Sequence, residues 1–140
     1  MSEQQQTEKQ REAMQQITMS VMSLLDTWSL ETAEMQQMLN LPSNVRARAF
    51  HKFREGNDVF PTDPDVMRRA TYLLRIADAL RTAYPCNPRM ASRWIRMPHR
   101  RFGRRTPLSI ILGSEGDSGM IAVLSELDCT FSWDLTGSSC

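Results

Sequence analysis

The chain has 140 residues, 41% of them apolar, and a net charge of +1. That length fits one ordinary domain or two very small ones, and it buries enough surface to fold without a disulfide or a metal. Three cysteines with no CxxC spacing, two distant histidines and no apolar run near the ~18 residues of a membrane span argue against a zinc site, a disulfide framework, a secretory leader and a membrane anchor, so a soluble cytoplasmic protein is expected.

The near-neutral total conceals segregation. Residues 1–43 carry two basic and six acidic side chains, and residues 44–83 carry eight and five. Residues 84–105 hold seven arginines and no acid, whereas residues 106–140 hold five acids and no base. Such blocks create local fields whatever the sum.

The opening is polar and glutamine-rich, so residues 1–14 are expected to form a flexible N-terminus. From residue 8 a helical pattern takes hold, with Met14, Ile17, Val21, Leu24, Leu25 and Trp28 at spacings of three and four. Ser29 then reads as the N-cap of a second helix, with Glu31 and Glu34 in its first turn and Ala33, Met35, Met38 and Leu39 inside. Asn40-Leu41-Pro42-Ser43 is a turn, in which asparagine tolerates the left-handed conformation. Ser43 or Asn44 caps a third helix that turns Val45, Ala49, Phe50 and Phe53 inward and Arg46, Arg48, His51, Lys52 and Arg54 outward. Gly56 stops it.

A longer helix begins at Asp63 or Pro64 and ends near Tyr84-Pro85. Its apolar residues spread around much of its circumference, which predicts a central, buried element. Asn87 caps a short helix with Pro88 as its first residue and Met90, Ala91, Trp94 and Ile95 inside. A loop over residues 97–105 contains Gly103 as its hinge. Thr106 caps and Pro107 starts another short helix, broken over residues 113–116. A last helix over residues 117–128 buries Met120, Val123, Leu124 and Leu127, and residues 129–140 read as a tail. With no convincing strand, the predicted fold class is all-α.

Two stretches carry functional signals. "SLETAEMQQMLNLPSNVRARAFHKFREG" has the layout of a helix-turn-helix: a short helix, a tight turn, then a basic helix. In that layout the second helix enters the DNA major groove, so Ser43, Asn44, Arg46, Arg48, Lys52 and Arg54 are the candidate DNA-binding residues. A solvated basic helix is the plain alternative.

The second stretch is the arginine run, Arg93, Arg96, Arg100, Arg101, Arg104 and Arg105, interleaved with Trp94, Ile95 and Phe102. Six arginines cannot all be buried without partners. They form a solvated face, a surface for an acidic or anionic partner, or a set of DNA-backbone contacts. Trp94 reads as core. No glycine-rich phosphate loop, activated nucleophile or paired carboxylates occur, so neither an enzyme nor a cofactor is expected.

"NPRMASRWIRMPHRRFGRRTPLSIILGSEGDSGMIAVLSEL" resembles the toxin-binding domain of the Xre/MbcA/ParS antitoxin family. The matching order is Asn87-Pro88, the helix with Ala91, Trp94 and Ile95, then Met97-Pro98, Phe102-Gly103 and Thr106-Pro107-Leu108, then a glycine break at Gly113 and a helix with Val123 and Leu127. Where the family commonly has neutral residues near Phe102, this chain has arginines, and its ending, "CTFSWDLTGSSC", is also unusual.

The resemblance implies a helix-turn-helix domain over residues 15–84, a small helical toxin-binding domain over residues 85–128 and a tail over residues 129–140. It implies a type II antitoxin that blocks an NAD-degrading toxin of the RES-domain type and represses their shared operon. The toxin-binding candidates are then Arg93, Arg96, Arg100, Arg101, Phe102, Arg104, Arg105, Phe131 and Trp133. The implied partners are the cognate toxin, operator DNA and a second copy of the chain, in larger toxin–antitoxin assemblies but with no membrane. A stand-alone transcriptional regulator and an immunity protein without DNA binding are the competing readings.

Overall fold

The computed structural model describes the backbone of residues 2–114 and 116–134 and the side chains of residues 3–114 and 116–128. Among these residues seven α-helices follow in order: α1 Ser2–Thr27, α2 Thr32–Leu39, α3 Ala47–Glu55, α4 Pro64–Ala83, α5 Pro88–Trp94, α6 Pro107–Gly113 and α7 Ser118–Asp134. A 3-10 turn, Arg100–Phe102, lies between α5 and α6. Among the described residues the β-type pairing is one isolated bridge, so the all-α expectation holds. The chain divides into two compact units, residues 1–70 and 71–140, with the division inside α4.

In the first unit α1 packs on α3. Its buried seam is Thr18, Val21, Met22, Leu25 and Trp28, while Ile17 and Leu24 are half-buried at its margin. Thr18 is fully buried yet satisfied: its hydroxyl donates to the Met14 carbonyl at 2.8 Å and accepts from the Phe60 backbone N–H at 3.1 Å. That bond pins the segment before α4 to α1. Phe50, Phe53 and Phe60 stack edge to face, with centroids 5.8 and 5.0 Å apart, a preferred aromatic arrangement.

Helix α1 starts at Ser2 rather than near residue 8. It closes at Ser29, which takes φ +58°, with the Leu30 N–H reaching the Leu25 carbonyl. Ser29 therefore ends α1 instead of capping α2. The cap of α2 is Glu31, in a reciprocal capping box with Glu34. Asn40 ends α2 in the left-handed conformation, as expected, at φ +53°.

In the second unit the core consists of Leu73, Ile76 and Leu80 of α4, Trp94 and Ile95, Leu108 and Ile111 of α6, and Met120, Val123, Leu124 and Leu127 of α7. Asn87 caps α5 by accepting from the Met90 N–H, and Thr106 caps α6 by accepting from the Ser109 N–H. Each is followed by proline at the first helical position, where no N–H is needed. Helix α6 packs on α7. A Cβ on Gly119 would lie 2.5 Å from the Ile110 carbonyl oxygen and 2.8 Å from the Ile111 Cα, so only glycine lets the two backbones approach this closely.

Three expectations are corrected. Helix α4 buries one stripe, Val66, Ala70, Leu73, Ile76 and Leu80, and exposes Arg68, Thr71, Arg75 and Asp78. Its apolar surplus, Tyr72 and Leu74, lies half-buried at the edges of the stripe. Helix α7 runs to Asp134, six residues beyond the expected end: the run "CTFSWD" contains no glycine or proline to stop it. Cys86 is disulfide-bonded, and the other cysteines, Cys129 and Cys140, lie outside the described side chains. Pairing depends on how closely the fold brings two Cα atoms together, which sequence spacing does not encode.

Candidate functional site

The arginine run forms a closed, backbone-bonded loop. After α5 the chain enters residues 99–105, where His99 and Arg105 form an antiparallel bridge. The His99 N–H donates to the Arg105 carbonyl at 3.1 Å, and the Arg104 N–H donates to the His99 carbonyl at 2.9 Å. Between them lies the 3-10 turn, and then two successive left-handed residues, Gly103 at φ +63° and Arg104 at φ +66°. Gly103 therefore sits in a hydrogen-bonded turn. Arginine in the left-handed region costs about 1 kcal/mol or more, and here the surrounding hydrogen bonds hold it.

An aromatic trio supports the loop from below. Trp94 is buried at 5% exposure, as its helical spacing indicated. The His99 ring lies 4.7 Å from it, and Phe102 meets both rings edge-on at 6.5 and 6.2 Å. His99 Nε2 sits 3.1 Å from the Trp94 carbonyl oxygen. A carbonyl only accepts, so this nitrogen carries a proton. Phe102 is half-buried: it anchors the loop to the domain more than it presents a face to solvent.

Arg93, Arg96, Arg100, Arg101, Arg104 and Arg105 are all exposed. Arg101 is paired with Glu126 of α7 at 3.0 Å, and Arg96 is also engaged in a contact within the chain. Arg93, Arg100, Arg104 and Arg105 have no acidic side-chain partner among the described residues. Met97, exposed at 37%, and exposed Pro98 sit in sequence between Arg96 and Arg100. The sequence marked this apolar pair as part of the family-like pattern, but it did not single out Glu126, whose pairing with Arg101 depends on tertiary placement. Phe131 and Trp133 fall on the last turns of α7, and their side chains lie outside the described residues.

The α2–α3 connection differs from the expected tight turn. It spans residues 40–46, and α3 begins at Ala47 with Arg46 as its cap residue. Ser43 and Asn44 therefore lie in an exposed turn ahead of α3, not at its first turn. The reason is local: the Val45 N–H bonds the Pro42 carbonyl, closing a separate turn after the proline. Arg48, His51 and Lys52 lie on one exposed face of α3, and Arg46 is exposed at its start. The cap residue makes no side-chain hydrogen bond.

Arg54 is placed apart from that face. Its Nε and Nη2 grip the two Asp26 carboxylate oxygens at 2.9 and 3.0 Å, tying α3 to α1. The bond to Asp26 raises the Arg54 pKa further above its ordinary value, so the guanidinium stays charged.

Residues 79–129 match the family model of the antitoxin Xre/MbcA/ParS C-terminal toxin-binding domain. The match covers the end of α4, α5, the arginine loop, α6 and most of α7. No curated protein and no solved structure gives a significant match. Among the described residues, no helix is long and apolar enough to cross a membrane, and no cluster of acidic, histidine or cysteine side chains is placed to hold a metal.

Proposed function

We propose, with the match over residues 79–129 as premise, that this protein is the antitoxin of a toxin–antitoxin pair. The observation that carries the reading is a coincidence: the matched segment also contains a backbone-bonded loop, and four exposed arginines in and beside it have no acidic partner among the described residues. A surface so charged and so firmly built is suited to holding a macromolecular partner. The toxin is of the RES-domain type, consumes NAD, and is neutralised by steric cover of its substrate cleft. The experiment is to express the product of the adjacent reading frame alone and together with this chain, following growth and cellular NAD. Rescue of both supports the reading; a harmless neighbour removes it.

The first unit binds the operator as a repressor. Arg46, Arg48 and Lys52, with Ser43 and Asn44 in the preceding turn, are its DNA-contacting residues. The support is the exposed basic face of α3 with Arg46 and Arg48 at the helix start, where the positive helix end favours an anion such as phosphate. Readers of this layout act as dimers on paired half-sites, so the active form is a homodimer that joins toxin in a larger assembly. A gel shift on the protein's own promoter, with light scattering for mass, tests both points.

A further inference from the structure

Resting on the antitoxin reading, we infer that the arginine loop is an electrostatic docking surface for a carboxylate-rich face of the partner protein. Its recognition is carried by Arg93, Arg100, Arg104 and Arg105, with exposed Met97 and Pro98 between them in sequence.

Three observations select this partner chemistry. The loop is preformed: the bridge, the 3-10 turn and the aromatic trio fix its backbone, so little ordering cost falls on binding. Its charge is supplied wholly by arginine, and the sequence contains no lysine after Lys52. Arginine presents a planar fork that matches a carboxylate or a phosphate in two parallel hydrogen bonds. Finally, exposed Met97 and half-buried Phe102 lie within the cationic stretch. Arginine, methionine and aromatics together, with lysine absent, is the composition of a protein–protein interface. A phosphate-tracking surface has no use for an exposed methionine, which favours an acidic protein over nucleic acid.

The loop already shows the chemistry in miniature. Arg101 takes the Glu126 carboxylate of its own chain at 3.0 Å, which fastens the loop to α7 and leaves its neighbours available. Charge complementarity of this kind acts chiefly on the encounter rate, and it weakens as salt rises.

The test uses the full-length chain and the purified product of the adjacent reading frame. Association rate and Kd are measured between low and high sodium chloride for the wild type, for Arg93→Glu/Arg100→Glu, and for Arg104→Glu/Arg105→Glu. A double reversal on α1, Lys9→Glu/Arg11→Glu, at exposed positions outside the matched segment, serves as control, and circular dichroism checks that each variant is folded. The expected result is an association rate lowered about tenfold or more in both loop variants, with a flattened salt dependence and a near-normal rate for the control. Wild-type binding that the loop reversals leave unchanged overturns this inference and spares the antitoxin reading. No binding by the wild type removes both. If the loop reversals instead abolish binding to a random-sequence DNA duplex while the neighbour still binds normally, the surface serves nucleic acid and the inference is wrong.

Discussion

Replacing Gly119 with alanine is the sharpest probe of how the second unit is held together. The added Cβ would lie 2.2 Å from the Ser114 Oγ, 2.5 Å from the Ile110 carbonyl oxygen and 2.8 Å from the Ile111 Cα. The serine hydroxyl can rotate away, but it then abandons the Gly119 N–H, which it accepts at 3.0 Å. The other two atoms are backbone of α6 and cannot move unless the helix does. Overpacking of this kind costs about 1–3 kcal/mol. For 140 residues unfolding together, each kcal/mol corresponds to about 3 °C, so Tm falls by about 3–9 °C. Gly113→Ala is the internal comparison: at that helical position a Cβ meets nothing within 4 Å and φ is not positive, so the exchange is neutral or stabilises by up to about 1 kcal/mol. Thermal and urea unfolding of the three proteins decides the matter. A Gly119→Ala protein that melts with or above the wild type refutes the close approach of α6 and α7.

Other outcomes follow from single contacts. Thr18→Val removes the acceptor of the buried Phe60 N–H and is expected to cost about 1–3 kcal/mol in urea unfolding, while Thr18→Ser costs clearly less. Arg54→Ala breaks a pair that is 32% and 43% exposed; the loss stays within about 1 kcal/mol, and operator affinity in a gel shift changes little. Arg46→Ala/Arg48→Ala leaves Tm unchanged but weakens operator binding and reduces the salt slope by about 0.9 per lost phosphate contact; an unaltered slope would exclude α3 as the DNA contact. Phe131→Ala/Trp133→Ala lowers affinity for the neighbouring gene product about tenfold or more, and full neutralisation by this variant would show that neither aromatic docks.

The elements that sequence revealed best are those with punctuation. Asn87-Pro88 and Thr106-Pro107 each combine a side-chain acceptor with a fixed φ, and both start helices where expected. Asn40 likewise marked its turn. Ser29 misled because a serine can either cap a following helix or adopt a left-handed turn; the reciprocal bond between Glu31 and Glu34 decided in favour of the later start. Thr18 and Met22 were missed as core because a polar and a flexible side chain do not stand out in an apolar pattern, although a helical seam passes through both. At the candidate site, the arginines and their acid-free setting were plain in the sequence. That Arg101 and Arg54 hold Glu126 and Asp26 was not, since each pair joins residues 25 or more apart in the chain and depends on tertiary placement.

The first turns of α1 stand apart from the rest of the helix. Every side chain of α1 from residue 3 to residue 13 is exposed, so these turns are held by their own ladder and by no core. Helix of that length unsupported by packing is marginal in water, and its opening costs little. A protease cleaves such a stretch in proportion to how often it is open, so limited proteolysis is expected to cut within residues 3–13 before it cuts the hydrogen-bonded loop over residues 99–105.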